Sequence, residues 1–156
     1  IDAARVAPFA RGARPMTPAD FAPVFAHDRE AFGADRSALL RRLYERAPEC
    51  AWIAPDAQGY CFGRPGRLFH QLGPIVAPDA DIARDVTACC LAQREGRALA
   101  IDAPHRDAGW IAWLEEAGLA VERPCTRMFL HGDVAPGETS RQYAIGGLLK
   151  STPPSL

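Results

Sequence analysis

The spacing of hydrophobic positions predicts an alternation of strands and helices along most of the chain. After a short strand at residues 14–16, apolar residues recur every three to four positions through 18–31, and again after Asp35, which can cap a second helix. Further on the period shortens to two, and residues 50–54 and 60–63 predict the two strands of a hairpin. The first part of the chain therefore has the predicted order β-α-α-β-β.

The second part continues this alternation and completes the predicted domain. The predicted elements are a strand at 68–76, a helix at 81–94, a strand at 98–102, a helix at 106–117, and strands at 119–122 and 126–131. In the helix at 106–117, the apolar face is formed by Trp110, Trp113, Leu114 and Ala117. The order β-α-α-β-β-β-α-β-α-β-β indicates an α+β fold, in which a mixed sheet lies between helical layers (α/β/α).

Composition separates a domain from two ends of the chain. A length of 156 residues suits one domain, which we place at residues 14–131. Residues 1–13 lack periodicity and predict a linker or arm, and residues 132–156, apart from an apolar patch at 143–149, predict a loosely attached tail. The start at Ile1 instead of methionine indicates a processed chain or a piece of a longer protein.

Composition and charge narrow the classes of function. Hydrophobic residues make up 48% of the chain, charged residues 24%, and the net charge is −1, so we expect a soluble globular protein without a nucleic-acid interface. No apolar run reaches the length of about 18 residues that a membrane span needs. The five cysteines form no C-x-x-C pair, which favours small buried side chains in a reducing cytoplasm over a disulfide framework or a zinc site.

Several stretches resemble the GNAT superfamily of acetyl-CoA-dependent N-acyltransferases, whose order of elements is the predicted one. Residues 14–20 are similar to the opening strand and helix start, 73–79 to the fourth strand and cofactor loop, and 100–119 to the fifth strand and its helix. Four stretches resemble more specifically the C-terminal domain of a bacterial group that has two such domains in one chain. They are Phe62-Gly-Arg-Pro-Gly-Arg67, Gly73-Pro74, Ile101-Asp102 and Thr126-Arg-Met128.

The resemblance implies a site for acetyl-CoA between the fourth and fifth strands. In the family these strands separate, so that backbone N–H groups bind the pantetheine arm and the thioester carbonyl, while the next helix faces the pyrophosphate. The residues implied here are Ile75, Val76 and Ala77 on the strand and loop, and Ala83 on the helix.

The loop after the fourth strand departs from the family pattern. Family members carry glycines there, whereas this chain has Ala77-Pro-Asp-Ala-Asp-Ile-Ala83, with Asp79 and Asp81 where two phosphates would lie. Alignment of the later helix also places Asp107 where an asparagine commonly contacts CoA, and Leu114 where a tyrosine often protonates the leaving thiolate. These departures predict weak or absent cofactor binding by this segment.

Four polar side chains are candidates for the acceptor site. Arg64 and Arg67 flank a predicted turn, where they could bind a carboxylate or phosphate or simply be solvated. His70 lies on the predicted fourth strand and is a candidate general base, with a structural or exposed histidine as the alternative. Asp102 ends a strand beside the implied cleft, where it could bind substrate or cap the backbone before Pro104.

Two functions are consistent with these features. The first is transfer of an acetyl group from acetyl-CoA to a small-molecule or peptide amine, with this chain as the C-terminal half that lacks the cofactor loop. The alternative is a non-catalytic module with the GNAT fold, which holds a ligand, an upstream GNAT domain or a second copy of itself. Neither hypothesis involves nucleic acid or a membrane, and both predict a cytoplasmic protein.

Overall fold

A computed structural model describes residues 1–93, 98–124, 126 and 136–146, which form a six-stranded mixed sheet with helices on both faces. The strands are β1 (Arg14–Pro15), β2 (Trp52–Ile53), β3 (Tyr60–Arg64), β4 (His70–Val76), β5 (Leu99–Ile101) and β6 (Gln142–Ala144). The helices are α1 (Ala3–Val6), α2 (Phe21–Phe32), α3 (Ser37–Arg46), α4 (Ala80–Ala92) and α5 (Ala108–Glu116). The predicted α+β class is confirmed, while the predicted domain boundaries stay a prediction.

The sheet changes partner along one edge of β4. Strands β1 to β4 pair antiparallel in chain order, and β5 joins β4 in parallel over three residues, from His70 opposite Leu99 to Leu72 opposite Ile101. Beyond Leu72, β4 pairs antiparallel with β6. Because β3 occupies the other edge of β4, β5 and β6 must share this edge, one after the other.

Alternation along β3 divides the core into two clusters. Tyr60 and Phe62 point toward α2 and α3, whereas Cys61 between them points toward α4 and α5. Each face of the sheet is therefore covered by a helical layer, as the α/β/α prediction requires.

The predicted helices and the hairpin of β2 and β3 are present, with small shifts at their ends. On α5, the predicted apolar face is buried, and the rings of Trp110 and Trp113 stack at 5.1 Å. On α3, Leu39 is 48% exposed although it follows the helical period. The N-cap of α3 is Arg36 and not the predicted Asp35, which lies one residue earlier and accepts a hydrogen bond from the backbone N–H of Ser37 at 2.9 Å. Residue 94, the predicted end of the α4 helix, lies outside the described residues.

Among the helices that the structure describes, none combines the length and the apolar composition of a membrane span.

The N-terminal segment, residues 1–13, which the sequence predicts as a linker or arm, packs on the domain. Val6 is fully buried, and the ring of Phe9 contacts that of Trp113 edge-on at 5.5 Å. The Asp85 carboxylate on α4 accepts hydrogen bonds from three consecutive backbone N–H groups at the end of the segment, at 2.7 to 3.2 Å. Burial of Val6, the ring contact of Phe9 and the hydrogen bonds to Asp85 therefore hold this segment on the domain, although its sequence has no hydrophobic periodicity.

Two predictions about the C-terminal part are corrected. Residues 119–124 contain no strand, and the strand predicted at 126–131 lies outside the described residues except for Thr126, which is not in a strand. The tail is not loose over residues 136–146, since β6 is buried in the sheet. The rest of the apolar patch, residues 147–149, is also outside the described part.

The described cysteines behave as the composition predicts. Cys50, Cys61, Cys89 and Cys90 are buried, and Cys125 lies outside the described residues. Burial raises the pKa of the Cys89 thiol to about 12, and the neighbouring carboxylate of Asp85 adds to this effect. No group of residues that could hold a metal ion occurs in the part of the chain that the structure describes.

Candidate functional site

The implied cofactor site lies where β5 ends and β4 continues past it. Gly73 has a φ of +144° at this point, and a Cβ there would lie 2.5 Å from the carbonyl oxygen of Ile145. A side chain at residue 73 would therefore collide with the backbone that follows β6. The close approach identifies Gly73 as the position at which β4 changes partner from β5 to β6.

A segment of the chain itself occupies the space beside this part of β4. We call residues 136–146, which include β6, the C-terminal strap. In the strap, Ala144 pairs with Ile75 and Gln142 with Val76, and the carbonyl of Arg141 accepts the backbone N–H of Ala77 at 3.0 Å. The gap between the separated strands is thus filled by protein.

The strap is also bound to the end of β5 and to α2. The N–H of Ile145 donates to the carbonyl of Asp102 at 3.0 Å. Toward α2, the Gln142 side-chain amide donates to the carbonyl of Ala31 at 2.6 Å, and the Glu138 N–H donates to another α2 carbonyl at 3.2 Å. These bonds hold the strap across the groove between α2 and the sheet.

On the other face of the sheet, α5 and the loop before it hold the same strap. The indole N–H of Trp110 donates to the carbonyl of Tyr143 at 3.0 Å, and the Arg106 guanidinium donates to the carbonyls of Gln142, at 2.9 Å, and Ser140. The side chain of Tyr143 packs against Trp110 at 5.3 Å between ring centroids. The strap is therefore anchored on both faces of the sheet.

These contacts bear directly on the four residues implied for acetyl-CoA. Ile75 and Val76 are buried and paired with the strap, and the N–H of Ala77 already has an acceptor. Ala83 is fully buried in the core on α4 and its backbone N–H donates to the carbonyl of Asp79 at 3.1 Å, so its contact with a cofactor stays a prediction. Cofactor contact at the first three residues would require the strap to leave.

The N-termini of α4 and α5 already carry acidic caps. Asp79 accepts the backbone N–H of Ile82 at 2.9 Å, and Asp107 accepts that of Trp110 at 2.9 Å. The second acid of the loop, Asp81, forms an exposed ion pair with an arginine one turn later. A helix N-terminus attracts anions through its free N–H groups and dipole, and here carboxylates use both. The repulsion of phosphate expected from the sequence is consistent with this geometry.

A cavity of about 450 Å³ opens between the strap and α5, lined by Arg106, Asp107, Ala108, Ser140 and Tyr143. Burial raises the pKa of the Tyr143 phenol, and the negative charge of Asp107 adds to the increase. The phenol therefore stays protonated at neutral pH and can donate a hydrogen bond into the cavity.

Two of the predicted polar residues are joined through a third that the sequence analysis did not single out. The Arg64 guanidinium donates to Oε1 of Gln71 at 3.0 and 2.5 Å, and Nε2 of Gln71 donates to Oδ2 of Asp102 at 2.5 Å. Gln71 is 8% exposed, whereas Asp102 is exposed. The sequence signal that could have identified Gln71 is that its side-chain amide stands in a largely apolar strand, β4.

The other two candidates lie apart from this network. His70 precedes Gln71 in β4 and so points to the opposite face of the sheet. It is half-buried, and its Nδ1 atom is buried without a hydrogen-bond partner among the described residues. Arg67 is exposed in the connection between β3 and β4. The structure thus brings Arg64 and Asp102 together, but not His70 or Arg67.

A second polar network, also missed from the sequence, lies between α2, α3 and β3. The buried carboxylate of Asp28 accepts two hydrogen bonds from Arg36, both at 2.8 Å, and one from the hydroxyl of Tyr60. Burial, with the charge of Asp28, raises the pKa of Tyr60 well above its usual value. This network fixes the connection between α2 and α3 to the sheet.

Comparison with known proteins gives one family and two similar proteins. The family described as acetyltransferase (GNAT) domain matches residues 24–144. The chain is 36% identical over 132 residues to the uncharacterized N-acetyltransferase YitH of Bacillus subtilis (strain 168), covering 81% of this chain and 45% of that protein. A crystal structure of a protein from Pyrococcus horikoshii, described as a putative acetyltransferase, aligns with a TM-score of 0.66 at 22% identity, covering 86% of this chain and 44% of that one.

These matches differ in what they establish. The match to the Pyrococcus structure establishes the fold alone, because the identity is low. The chain spans less than half the length of either similar protein.

Proposed function

The chain belongs to the GNAT family of acetyltransferase domains, and from that membership we propose a function for the protein of which it is a part. That protein transfers an acetyl group from acetyl-CoA to an amine, and this chain is its C-terminal half. In the reaction, the neutral amine nitrogen attacks the thioester carbon, the C–S bond breaks, and the leaving thiolate takes up the proton that the nitrogen releases. Acetyl-CoA binds mainly to the upstream part of the protein.

The observation that carries this division of labour is the C-terminal strap. The family's chemistry needs free backbone N–H groups where the central strands separate, and here the strap pairs with β4 and accepts the N–H of Ala77. The acidic caps at the N-termini of α4 and α5 support the same conclusion, since each places a negative charge where the phosphates of the cofactor would otherwise bind.

The energy needed to open the strap indicates why a cofactor would not readily replace it. Six of its hydrogen bonds to other parts of the chain contribute about 1 kcal/mol each in net terms, and burial of Tyr143 adds about 2 kcal/mol. Micromolar binding of a ligand supplies about 8 kcal/mol in total. Opening the strap would consume most of that binding energy, so we expect this chain alone to bind acetyl-CoA very weakly.

The contribution of this chain is then to the acceptor side or to the interface between domains. The network of Arg64, Gln71 and Asp102 lies across three strands, next to the point where β5 leaves β4. Its end at Asp102 is exposed, so it is available to an acceptor or to another domain. We also propose that the protein is cytoplasmic and that the partner of this chain is an upstream GNAT domain or a second copy of itself.

Calorimetric titration of acetyl-CoA tests the proposal in two samples. We expect no heat of binding from this chain at millimolar acetyl-CoA, and micromolar binding by the complete protein. Micromolar binding by this chain alone would contradict the assignment of the cofactor to the upstream part. Absence of binding by the complete protein would contradict the proposed reaction.

The alternative is a non-catalytic module, and the filled cleft also favours it. The two proposals differ in their dependence on Asp102. If this chain shapes the acceptor site, Asp102→Asn should raise KM for the acceptor in the complete protein, whereas a purely structural module would leave KM unchanged.

A further inference from the structure

The geometry of the network around Gln71 points to a specific role for its exposed end. Arg64 and Gln71 are direct neighbours across β3 and β4, and Gln71 pairs with Ala100, two residues before Asp102. Arg64 and Gln71 therefore lie on the same face of two neighbouring strands, and Asp102, the residue after β5, binds Gln71 from the next strand's end. Such an arrangement can fix the orientation of its last member.

The orientation of the Gln71 amide is determined by its neighbours. A guanidinium has only donors, so the amide oxygen must face Arg64, and the amide N–H must then face Asp102. Because Gln71 is 8% exposed, its rotamer is also restricted by packing. One carboxylate oxygen, Oδ2 of Asp102, is thus held by a directed donor, while the side chain as a whole remains exposed.

We propose that Asp102 anchors a positively charged alkylammonium group of the acceptor and that Gln71 is the residue that positions its carboxylate. This inference rests on the proposed transfer to an amine. An exposed carboxylate already fixed by a buried amide loses little freedom when it binds a cation, which favours it over the flexible acids of the surface.

The anchored group cannot be the nitrogen that reacts. A carboxylate beside an amine stabilises the protonated ammonium, and an ammonium has no lone pair for attack on a thioester. The acceptor must therefore carry a second nitrogen for the reaction, so the substrate class is a diamine or polyamine.

Two nearby arginines leave room for this cation. Arg64 belongs to β3 and its donors are turned toward Gln71, whose amide lies between the guanidinium and the Asp102 carboxylate. Arg106 is turned to the strap, where it donates to the carbonyl of Gln142. Neither guanidinium is hydrogen-bonded to Asp102 in the described structure.

The test uses the side-chain amide of Gln71 as a reporter in nitrogen-edited NMR spectra. Diaminobutane is titrated into the chain, with butanediol as the uncharged probe of the same length. We expect a saturable shift of the Gln71 amide signals with diaminobutane in the millimolar range, and none with butanediol. Absence of a saturable shift, or equal shifts with both probes, would overturn the proposal.

Variants separate the anchor from its positioning residue. Asp102→Asn should abolish the saturable response of neighbouring backbone amides, and Gln71→Leu should weaken diaminobutane binding several-fold, as expected when a partly exposed ion pair loses its orientation. Gln142→Leu is the matched control, because it removes another buried glutamine from a different hydrogen bond, and it should bind like the parent chain. Unchanged binding in Asp102→Asn would refute the anchor.

Stability of the variants does not obscure the result. If Gln71→Leu fails to fold, Gln71→Met keeps the length of the side chain but removes the donor to Asp102, and it should weaken binding to a similar degree. Binding by Gln71→Met equal to that of the parent chain would refute the positioning role. The titration contains no acetyl-CoA, so its failure would leave the proposed acetyl transfer intact, and failure of acetyl-CoA binding would not affect the titration.

Discussion

The buried ion pair between Asp28 and Arg36 offers the largest predicted change in stability from a single substitution. The Asp28 side chain is 1% exposed and that of Arg36 is 12% exposed, and the carboxylate also accepts the hydroxyl of Tyr60. Asp28→Ala removes the acceptor of three hydrogen bonds and leaves a guanidinium without its counter-ion in the interior.

The magnitude follows from the two groups that lose a partner. Removal of one member of a buried ion pair costs about 3–5 kcal/mol, and an unsatisfied buried hydroxyl such as that of Tyr60 adds about 1 kcal/mol or more. The free energy of unfolding of a domain is about 5–15 kcal/mol, so Asp28→Ala should lose a large part of it. Replacement of both partners, as in Asp28→Leu with Arg36→Met, should recover most of the loss, because no buried charge then lacks a partner.

Urea unfolding followed by tryptophan fluorescence measures this difference. The matched control is Arg29→Ala, which breaks an ion pair of similar length, 2.8 Å to Asp35, between side chains that are 65% and 55% exposed. The control should lose less than about 1 kcal/mol. A loss in Asp28→Ala no larger than that in the control would refute the reasoning from burial.

Three further predictions concern other parts of the chain. Hydrogen bonding to Arg14 holds the pKa of Asp20 well below its usual range, so its stabilising contribution is present above about pH 4 and is lost as the pH falls through the folded-state value. Asp20→Asn should therefore flatten the acid limb of a plot of unfolding free energy against pH, and an unchanged limb would contradict this. The raised pKa of Cys89 predicts alkylation by iodoacetamide at pH 8 far slower than that of a free thiol, with mass spectrometry as the measurement and rapid modification of the folded chain as the contrary result. Asp85→Ala should lower the thermal midpoint and increase proteolysis within residues 1–13, whose backbone N–H groups it binds, and resistance equal to that of the parent chain would count against this anchor.

Most of the fold is predictable from local patterns, and α5 shows why. Its buried residues, Trp110, Trp113 and Leu114, follow the helical period, because a helix of nine residues presents one face to the core. The same reasoning predicts the β2–β3 hairpin, whereas the caps that Asp79 and Asp107 form are seen only in the structure.

The parts that escaped prediction depend on contacts between distant residues. Tyr143 is buried by Trp110, 33 positions earlier, and no local pattern in a segment rich in small residues reveals such a partner. The same holds for Val6 in the N-terminal segment, and for Gln71, whose two partners lie on neighbouring strands. Ala83 was placed by alignment with the family, whereas its burial is decided by the packing of α4 on the sheet.

The C-terminal strap closes the edge of β4 in this chain. Hydrogen–deuterium exchange at the backbone amides of Ala77 and Ile145, with and without acetyl-CoA, tests it most directly, because both amides donate across the strap contacts. We predict slow exchange at both amides that acetyl-CoA does not change. Rapid exchange without acetyl-CoA, followed by protection when it is added, would contradict closure by the strap and would show that the cofactor binds in the cleft.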